Sequence, residues 1–213
     1  MSLKPQDVCI LLKIVAMGRA PWSYVPLAYE LAMSASEVHA GVKRAIDAGL
    51  MRLDGGWGYP DPAALEEFLV HGLKYVFTPD RGGLTRGIPT SYAAPPLNRL
   101  READDEPPPV WPDEKGEARG YEFSPLYKSV PLAARRDPRL YELLALVDAI
   151  RGGDGETREL AVRELRARLS VPPIPEGNDK EAAQPHPRAA AKIVKRGANG
   201  KEGRVYRGRH RDP

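Results

Sequence analysis

Residues 30–56, ELAMSASEVHAGVKRAIDAGLMRLDGG, hold the strongest local signals in the chain. In Ser34-Ala35-Ser36-Glu37 a serine precedes a glutamate by three positions, the spacing at which the hydroxyl bonds the Glu37 backbone N–H while the carboxylate reaches back. That reciprocal cap predicts a helix start at residue 35. Val38, Val42, Ala45 and Ile46 then recur at helical spacing and Gly49 stands in the stop position, so the helix covers about 35–48. Gly41 and Ala45 are small enough for close contact with another helix. Ser36, His39, Ala40, Lys43 and Arg44 are left outward, short and polar near the start and basic beyond. Leu50-Met51-Arg52-Leu53 next reads as a strand, Asp54-Gly55-Gly56 as a tight turn and Trp57-Gly58-Tyr59 as a short return strand.

Working upstream, Val8, Leu11, Leu12 and Val15 follow the helical rule, and Ile10, Ile14 and Met17 widen the stripe until most of the circumference is apolar. This is a core helix, closed by Gly18 and by Ala20-Pro21. Ser23 is placed to cap a second helix with Pro26 in its first turn, where a missing donor costs little, and Tyr24, Leu27, Ala28 and Leu31 repeat the apolar spacing. The link to the third helix is Ala32-Met33-Ser34. Two packed helices joined by a short sharp turn, the second presenting small polar groups and cations, are what reading a major groove requires.

This region resembles the winged helix-turn-helix regulators of bacteria, MarR-like in the recognition helix, with Leu31, Ala32, Ser34, Ser36, Val38, Val42, Lys43, Arg44, Gly49 and Leu50 at matching places. The resemblance spans roughly the first 75 residues. It implies double-stranded DNA binding, usually as a homodimer, with a recognition helix at about 35–48 in the major groove and a wing at about 50–59 on the backbone. The expected contacts are Ser34, Ala35, Ser36, His39, Ala40, Lys43 and Arg44 from the helix, and Arg52 from the wing. Between Lys4 and Arg99 ten basic residues face nine acidic ones, a net of +1, whereas domains that live on phosphate contacts are usually more basic. Winged helices also dock proteins, so a second reading stands beside the first: an adaptor, or an antitoxin-like component of a defence module, gripping a partner protein.

Downstream, Asp61-Pro62 reads as cap and first residue of a fourth helix that buries Leu65, Phe68, Leu69 and Leu73. His71 belongs to its surface. From Val76 to Leu97 the chain is rich in Gly and Pro. There Arg81 and Arg86 ride on a backbone freed by glycine, either along phosphates as secondary contacts or in a loop folded over the domain, since Ile88, Tyr92 and Leu97 call for burial. The glycine spacing does not match a nucleotide-cradling loop. The expected organisation is a winged helix-turn-helix domain over 1–98, a flexible linker over 99–120 that contains DDEPPP, a helical hairpin over 121–170 and a disordered basic tail over 171–213. In the hairpin Asp137-Pro138 caps one helix with Leu140, Leu143, Leu144 and Val147 inward. Gly152-Gly153-Asp154-Gly155 breaks it, and a second helix turns Leu160, Ala161, Leu165 and Leu169 inward. Two helices bury too little to stand alone, so the hairpin docks on the first domain, on a second copy or on a partner, with homodimerisation the expected use.

The fold class is therefore mainly α, a winged helix-turn-helix with a small β-hairpin wing plus a C-terminal helical hairpin. Of the 213 residues 22 are proline and 20 glycine, which places part of the chain in linkers or tails. The formal net charge of +3 hides an asymmetry: from His186 onward nine Lys or Arg face only Glu202 and Asp212, a net of +7 that leaves −4 elsewhere. Such an arm raises nucleic-acid affinity without specificity, or serves as a solubilising end. The single cysteine, Cys9, excludes an internal disulfide and a multi-thiolate zinc site, and reads as a small core residue in a cytoplasmic protein. No leader or membrane span is read, and no metal or other cofactor is expected. No paired carboxylates or base-activated nucleophile appear at catalytic spacing, so an enzyme is not expected.

Overall fold

Gly18, at φ +66°, ends the first helix, α1 (Pro5–Ala16), in the left-handed region that glycine reaches without strain. The second, α2 (Tyr24–Leu31), starts after Ser23 as expected, although the Ser23 hydroxyl makes no capping bond. Its C-cap, Ala32, takes a left-handed conformation (φ 51°, ψ 44°), which turns the chain within three residues into α3 (Ala35–Asp47). Gly49, at φ +73°, then releases the chain into an antiparallel hairpin, β1 (Met51–Asp54) with β2 (Trp57–Pro60). In the computed structural model the described residues are 2–18, 20–54, 57–100 and 106–170, leaving aside the side chains of 53, 54 and 57. The expected turn residues Gly55 and Gly56, and the tail over 171–213, lie outside them.

α1 and α3 touch because residue 41 has no side chain: a Cβ there would collide with Ile10 and lie 2.9 Å from the Asp7 carboxylate. Beside that contact Arg44 turns inward. Its Nε and Nη2 donate to the two oxygens of buried Asp7 at 2.7 and 2.6 Å, and Lys4 N–H adds a bond to the same carboxylate at 2.8 Å. This corrects the expectation of an outward Arg44. The residue sits on the flank of the apolar face, three positions after Gly41, and a long side chain there reaches a buried charge that would otherwise stand unpaired.

The fourth helical segment is continuous but changes winding, from α4 (Pro62–Glu67) through a π-helical turn (Phe68–Gly72) into α5 (Leu73–Val76). Asp61 caps it by accepting from the backbone N–H groups of Ala63 and Ala64, and Leu65, Leu69 and Leu73 are fully buried. Beyond it the chain departs from the expected loop and linker. β3 (Arg81–Pro89) pairs antiparallel with both β4 (Pro109–Pro112) and β5 (Ala118–Phe123), while β4 and β5 run parallel, closing a small three-stranded barrel. Glycine makes so tight a closure possible: a Cβ on Gly87 would strike the Trp111 carbonyl, and one on Gly120 the Pro108 carbonyl. Trp111, at the end of a proline-rich stretch, is completely buried.

The hairpin helices follow α6 (Val130–Arg136) as α7 (Pro138–Gly152) and α8 (Gly155–Leu169), capped by Asp137 and Asp154. Of its three possible placements, the hairpin docks on its own chain: α7 packs against α1, α5 and α6, and α8 against α4. Lys13 of α1, itself buried, meets Asp137 at 2.7 Å. Leu140, Leu143, Leu144, Val147, Leu165 and Leu169 join α1 and α3 in one core, so the apolar face expected to serve a second copy is spent internally. A second buried polar cluster sits on α7. Asp148 accepts from Trp111 Nε1 (2.6 Å), Thr90 Oγ1 (2.7 Å) and Arg151 Nε (2.8 Å), and Arg151 continues to the carbonyls of Phe77 and Ser124. The whole is mainly helical with small sheets of few strands, and the described residues all fall within one compact unit, Met1–Ile174.

Arg44→Met leaves the Asp7 charge buried and uncompensated, so it is expected to cost about 3–5 kcal/mol. Adding Asp7→Asn removes that charge and recovers a substantial part of the loss, which urea unfolding midpoints of the single and double variants measure.

Candidate nucleic-acid interface

Locking α3 from below decides what it shows above. With Val38, Gly41, Val42 and Ala45 buried and Arg44 drawn into the core, Ser34, Ala35, Ser36, His39 and Lys43 are exposed. Ala40 is half-buried. Ser36, His39 and Lys43 share one side of the helix at steps of three and four residues. Asp47 is exposed on the same side at the C-terminal end. The structure therefore brings together the expected helix residues apart from Arg44.

The start of the helix is held by the expected reciprocal cap. The Glu37 backbone N–H donates to Ser34 Oγ at 3.2 Å, while Glu37 Oε2 accepts from Ser34 N–H at 2.9 Å and from Ser34 Oγ at 2.7 Å. A third donor comes from far along the chain: Tyr127 Oη bonds Glu37 Oε1 at 2.7 Å. The Ser34 donors, then Tyr127, hold the Glu37 carboxyl well below its ordinary 4.5, at about 2. The hydrogen bond that Tyr127 donates to the Glu37 carboxylate, together with burial, pushes its phenol up. Ser34 thus spends its hydroxyl on the helix start, and Ser36, whose hydroxyl lies 3.1 Å from it, extends outward from the same turn.

Two aromatic residues that sequence spacing assigned to no site frame the exposed face. The Tyr24 ring lies 5.1 Å from the His39 imidazole, and Trp22 meets Tyr24 edge-on at 5.6 Å. Trp22 Nε1 in turn donates to the Gly58 carbonyl on β2 at 2.8 Å. His39 is therefore placed by a stack that ends on the hairpin. Tyr24, the first residue of α2, was absorbed into the apolar spacing of that helix, and Trp22, two residues ahead of it, carried no periodic signal.

Arg52, on β1, keeps most of its side chain in solvent while its guanidinium meets Asp61 at 2.5 Å. A surface pair of this kind contributes only about 0–1 kcal/mol, so Arg52 is free to exchange partners. Arg81 and Arg86 lie on β3, apart from these residues in the chain and in different surroundings. Arg81 donates to the Gly152 carbonyl and covers the Phe123 ring, the packing alternative of the two expected for it. Arg86 is exposed. No cluster of three or more His, Cys, Asp or Glu able to hold a metal ion occurs among the described residues, nor any helix long and apolar enough to cross a membrane. Cys9 is buried in α1, and burial pushes its thiol far up, out of reach of thiolate chemistry.

The chain matches no protein-family model, no curated protein and no solved structure.

The depressed Glu37 carboxyl stabilises the fold fully above its unfolded value of 4.5 and loses that contribution as pH falls toward about 2. Glu37→Gln keeps a side chain that can close the reciprocal cap but loses the charge at the helix start, and is expected to lower stability by about 0.3–1 kcal/mol near neutral pH. The gap from wild type should narrow as pH drops through that window, in denaturation series at stepped pH.

Proposed function

We propose that residues 1–98 act as a winged helix-turn-helix reader of double-stranded DNA, with α3 in the major groove, the β1–β2 hairpin as the wing on the backbone, and the protein serving as a sequence-specific transcriptional regulator. One observation carries this reading: a hydroxyl, an imidazole and an ammonium, from Ser36, His39 and Lys43, stand exposed on one side of a helix whose other side is fixed by the core. Hydroxyl and imidazole groups are suited to base edges, and a lysine one turn further on to a phosphate. Arg52 supplies a cation on the hairpin, and Trp22 ties that hairpin to the side chains next to His39, so helix and wing approach a duplex as one piece. Two copies bound to a two-fold-symmetric operator would give such a small reader adequate length of recognition, one helix to each half-site. The dimer contact would have to come from a surface other than the α7–α8 face, which is already covered.

A specific observation also favours the adaptor reading. Val25 and Tyr29 on α2 are about 70% exposed beside the same helix, with Tyr24 next to them. Arg136 stacks over the Tyr29 ring. An aromatic and arginine surface of this sort is typical of protein contacts.

Binding to duplex DNA from immediately upstream of the gene separates the two. For a regulator, Ser36→Ala and His39→Ala each reduce discrimination against mismatched sites by about 1–3 kcal/mol. Lys43→Ala weakens binding to all duplexes alike and reduces the salt slope by about 0.9. If affinity is salt-labile and identical for all three variants and wild type, and Tyr29→Ala instead releases a tightly co-purifying protein, the adaptor is the function.

A further inference from the structure

The three-stranded barrel has an inner and an outer side, and glycine tells them apart. Gly87 and Gly120 face β4 so closely that neither tolerates a Cβ. Alternation along the strands then sends Leu84 and Arg86 of β3, with Arg119 and Tyr121 of β5, to the opposite side. The register places them in direct pairs, Leu84 opposite Tyr121 and Arg86 opposite Arg119. All four are exposed, Leu84 by 50% and Tyr121 by 47%.

Two arginines directly across an antiparallel pair repel, and such pairs weaken a sheet. Several other arginines meet a carboxylate, among them Arg44, Arg52, Arg135, Arg151, Arg166 and Arg168, while Arg81, Arg136 and Arg158 reach backbone carbonyls. Neither the Arg86 nor the Arg119 side chain has an ion pair or hydrogen bond among the described residues. Of the nearby acids, Glu117 is exposed two positions before Arg119 and makes no ion pair with it among the described residues. Asp113 is held by Arg135, and Glu122, on the other side of β5, lies against Gly82. Two guanidinium groups without a carboxylate, beside an exposed phenol ring, offer an anionic partner with a flat component both charge and a stacking surface. The C-terminal residues, net positive from His186 onward, are the wrong charge to cover this patch.

We propose that the outer face of the β3–β5 ribbon binds single-stranded nucleic acid, Arg86 and Arg119 holding its phosphodiester backbone and Tyr121, backed by Leu84, stacking an unpaired base. The chemistry is that of single-strand binding in general: cations follow the backbone, and an aromatic ring accepts any base because every base has a π-face. A base inside a duplex offers no free face to Tyr121, so a single strand is the occupant the ring selects. The site is separate from α3 and does not depend on the duplex reading.

The test uses the full-length protein and a fluorescently labelled oligo-thymidylate, followed by anisotropy across a salt series. Arg86→Ala with Arg119→Ala is expected to weaken binding by about tenfold or more, and to flatten the salt slope by about 1.4, two phosphates' worth for a single strand. Tyr121→Leu should weaken binding about tenfold while Tyr121→Phe retains it, because the ring and not the hydroxyl makes the stack. Arg119→Glu supplies the opposite charge facing Arg86, so its melting temperature should equal or exceed wild type while strand binding is lost. That combination separates a binding role from a structural one. Lys43→Ala should leave strand binding unchanged, and Tyr121→Leu should leave duplex recognition unchanged, so either proposal fails without the other. Wild-type affinity in the paired arginine variant, equal affinity in Tyr121→Leu and Tyr121→Phe, or competition by duplex as effective as by strand would each overturn the proposal.

Discussion

The inward turn of Arg44 onto Asp7 sets the rotation of α3 about its own axis, and the character of the exposed surface depends on that rotation. With 3.6 residues per turn, a helix that buries Val38, Gly41, Val42 and Ala45 has Arg44 on the border of its apolar face. A border residue can go either way. Had it turned outward, the Asp7 carboxylate would have been left in the core with a backbone N–H as its remaining bond, a costly arrangement. Folding it inward satisfies both charges and leaves Gly41 flush against Ile10. Ser36, His39 and Lys43 are then left exposed, with His39 beside the Tyr24 ring. A cation is withdrawn from the outer surface to bring this about, which leaves Lys43 as the cation of that face and shifts its balance toward hydroxyl and imidazole groups.

A second buried carboxylate does for the rest of the chain what Asp7 does for the first three helices. Asp148 takes bonds from Thr90, Trp111 and Arg151, which belong respectively to the segment after β3, to β4 and to α7 itself. Burial pushes its carboxyl up, and Arg151 opposes that rise. Arg151 goes on to two carbonyls, at Phe77 and Ser124, so the strands, the end of α5 and the hairpin are tied through a single hydrogen-bonded cluster. Lys13 with Asp137, and Tyr127 with Glu37, join this half to the first. Among the described residues, Leu140, Leu143, Leu144, Leu165 and Leu169, expected to serve a second copy, are instead buried within the chain. The hairpin's role within the chain is to hold the third helix from behind, through α1 and α6, while leaving the front open.

How much of this was legible in the sequence follows from how local each signal is. Caps are local, and those at Ser34, Asp61 and Asp137 were readable because the donor and acceptor lie within three residues of each other. The apolar periodicity of α1, α3, α7 and α8 was readable for the same reason. The barrel was not. Proline-rich composition around residues 106–112 reads as linker, yet Pro109–Pro112 is a strand whose Trp111 is buried, because a strand two or three bonds wide can tolerate prolines that a long ladder would not. Its signature was the glycines at 87, 116 and 120, whose need for space appears only once three strands close on one another. The direction of Arg44 was likewise out of reach, since its partner lies 37 residues earlier. Among the candidate site residues, Ser36, His39 and Lys43 are exposed as helix phase expects and Ala40 is half-buried, while Arg44, with a distant carboxylate within reach, turns inward.

His39 shows how the two kinds of constraint meet at the surface. Helix phase sends it outward, but its orientation comes from Tyr24, held edge-on by Trp22, whose indole is anchored to Gly58 of the hairpin. A side chain that reads a partner by hydrogen bonds gains from being held in place beforehand, because less rotamer freedom remains to be lost on contact. The same chain of contacts makes the spacing between α3 and the β1–β2 hairpin a property of the free protein. Lys43 lacks such a frame among the described residues and keeps its rotamer freedom, which suits a point charge that needs only to stay near a phosphate. The exposed face thus divides into a part held by neighbouring rings and a part that keeps its rotamer freedom.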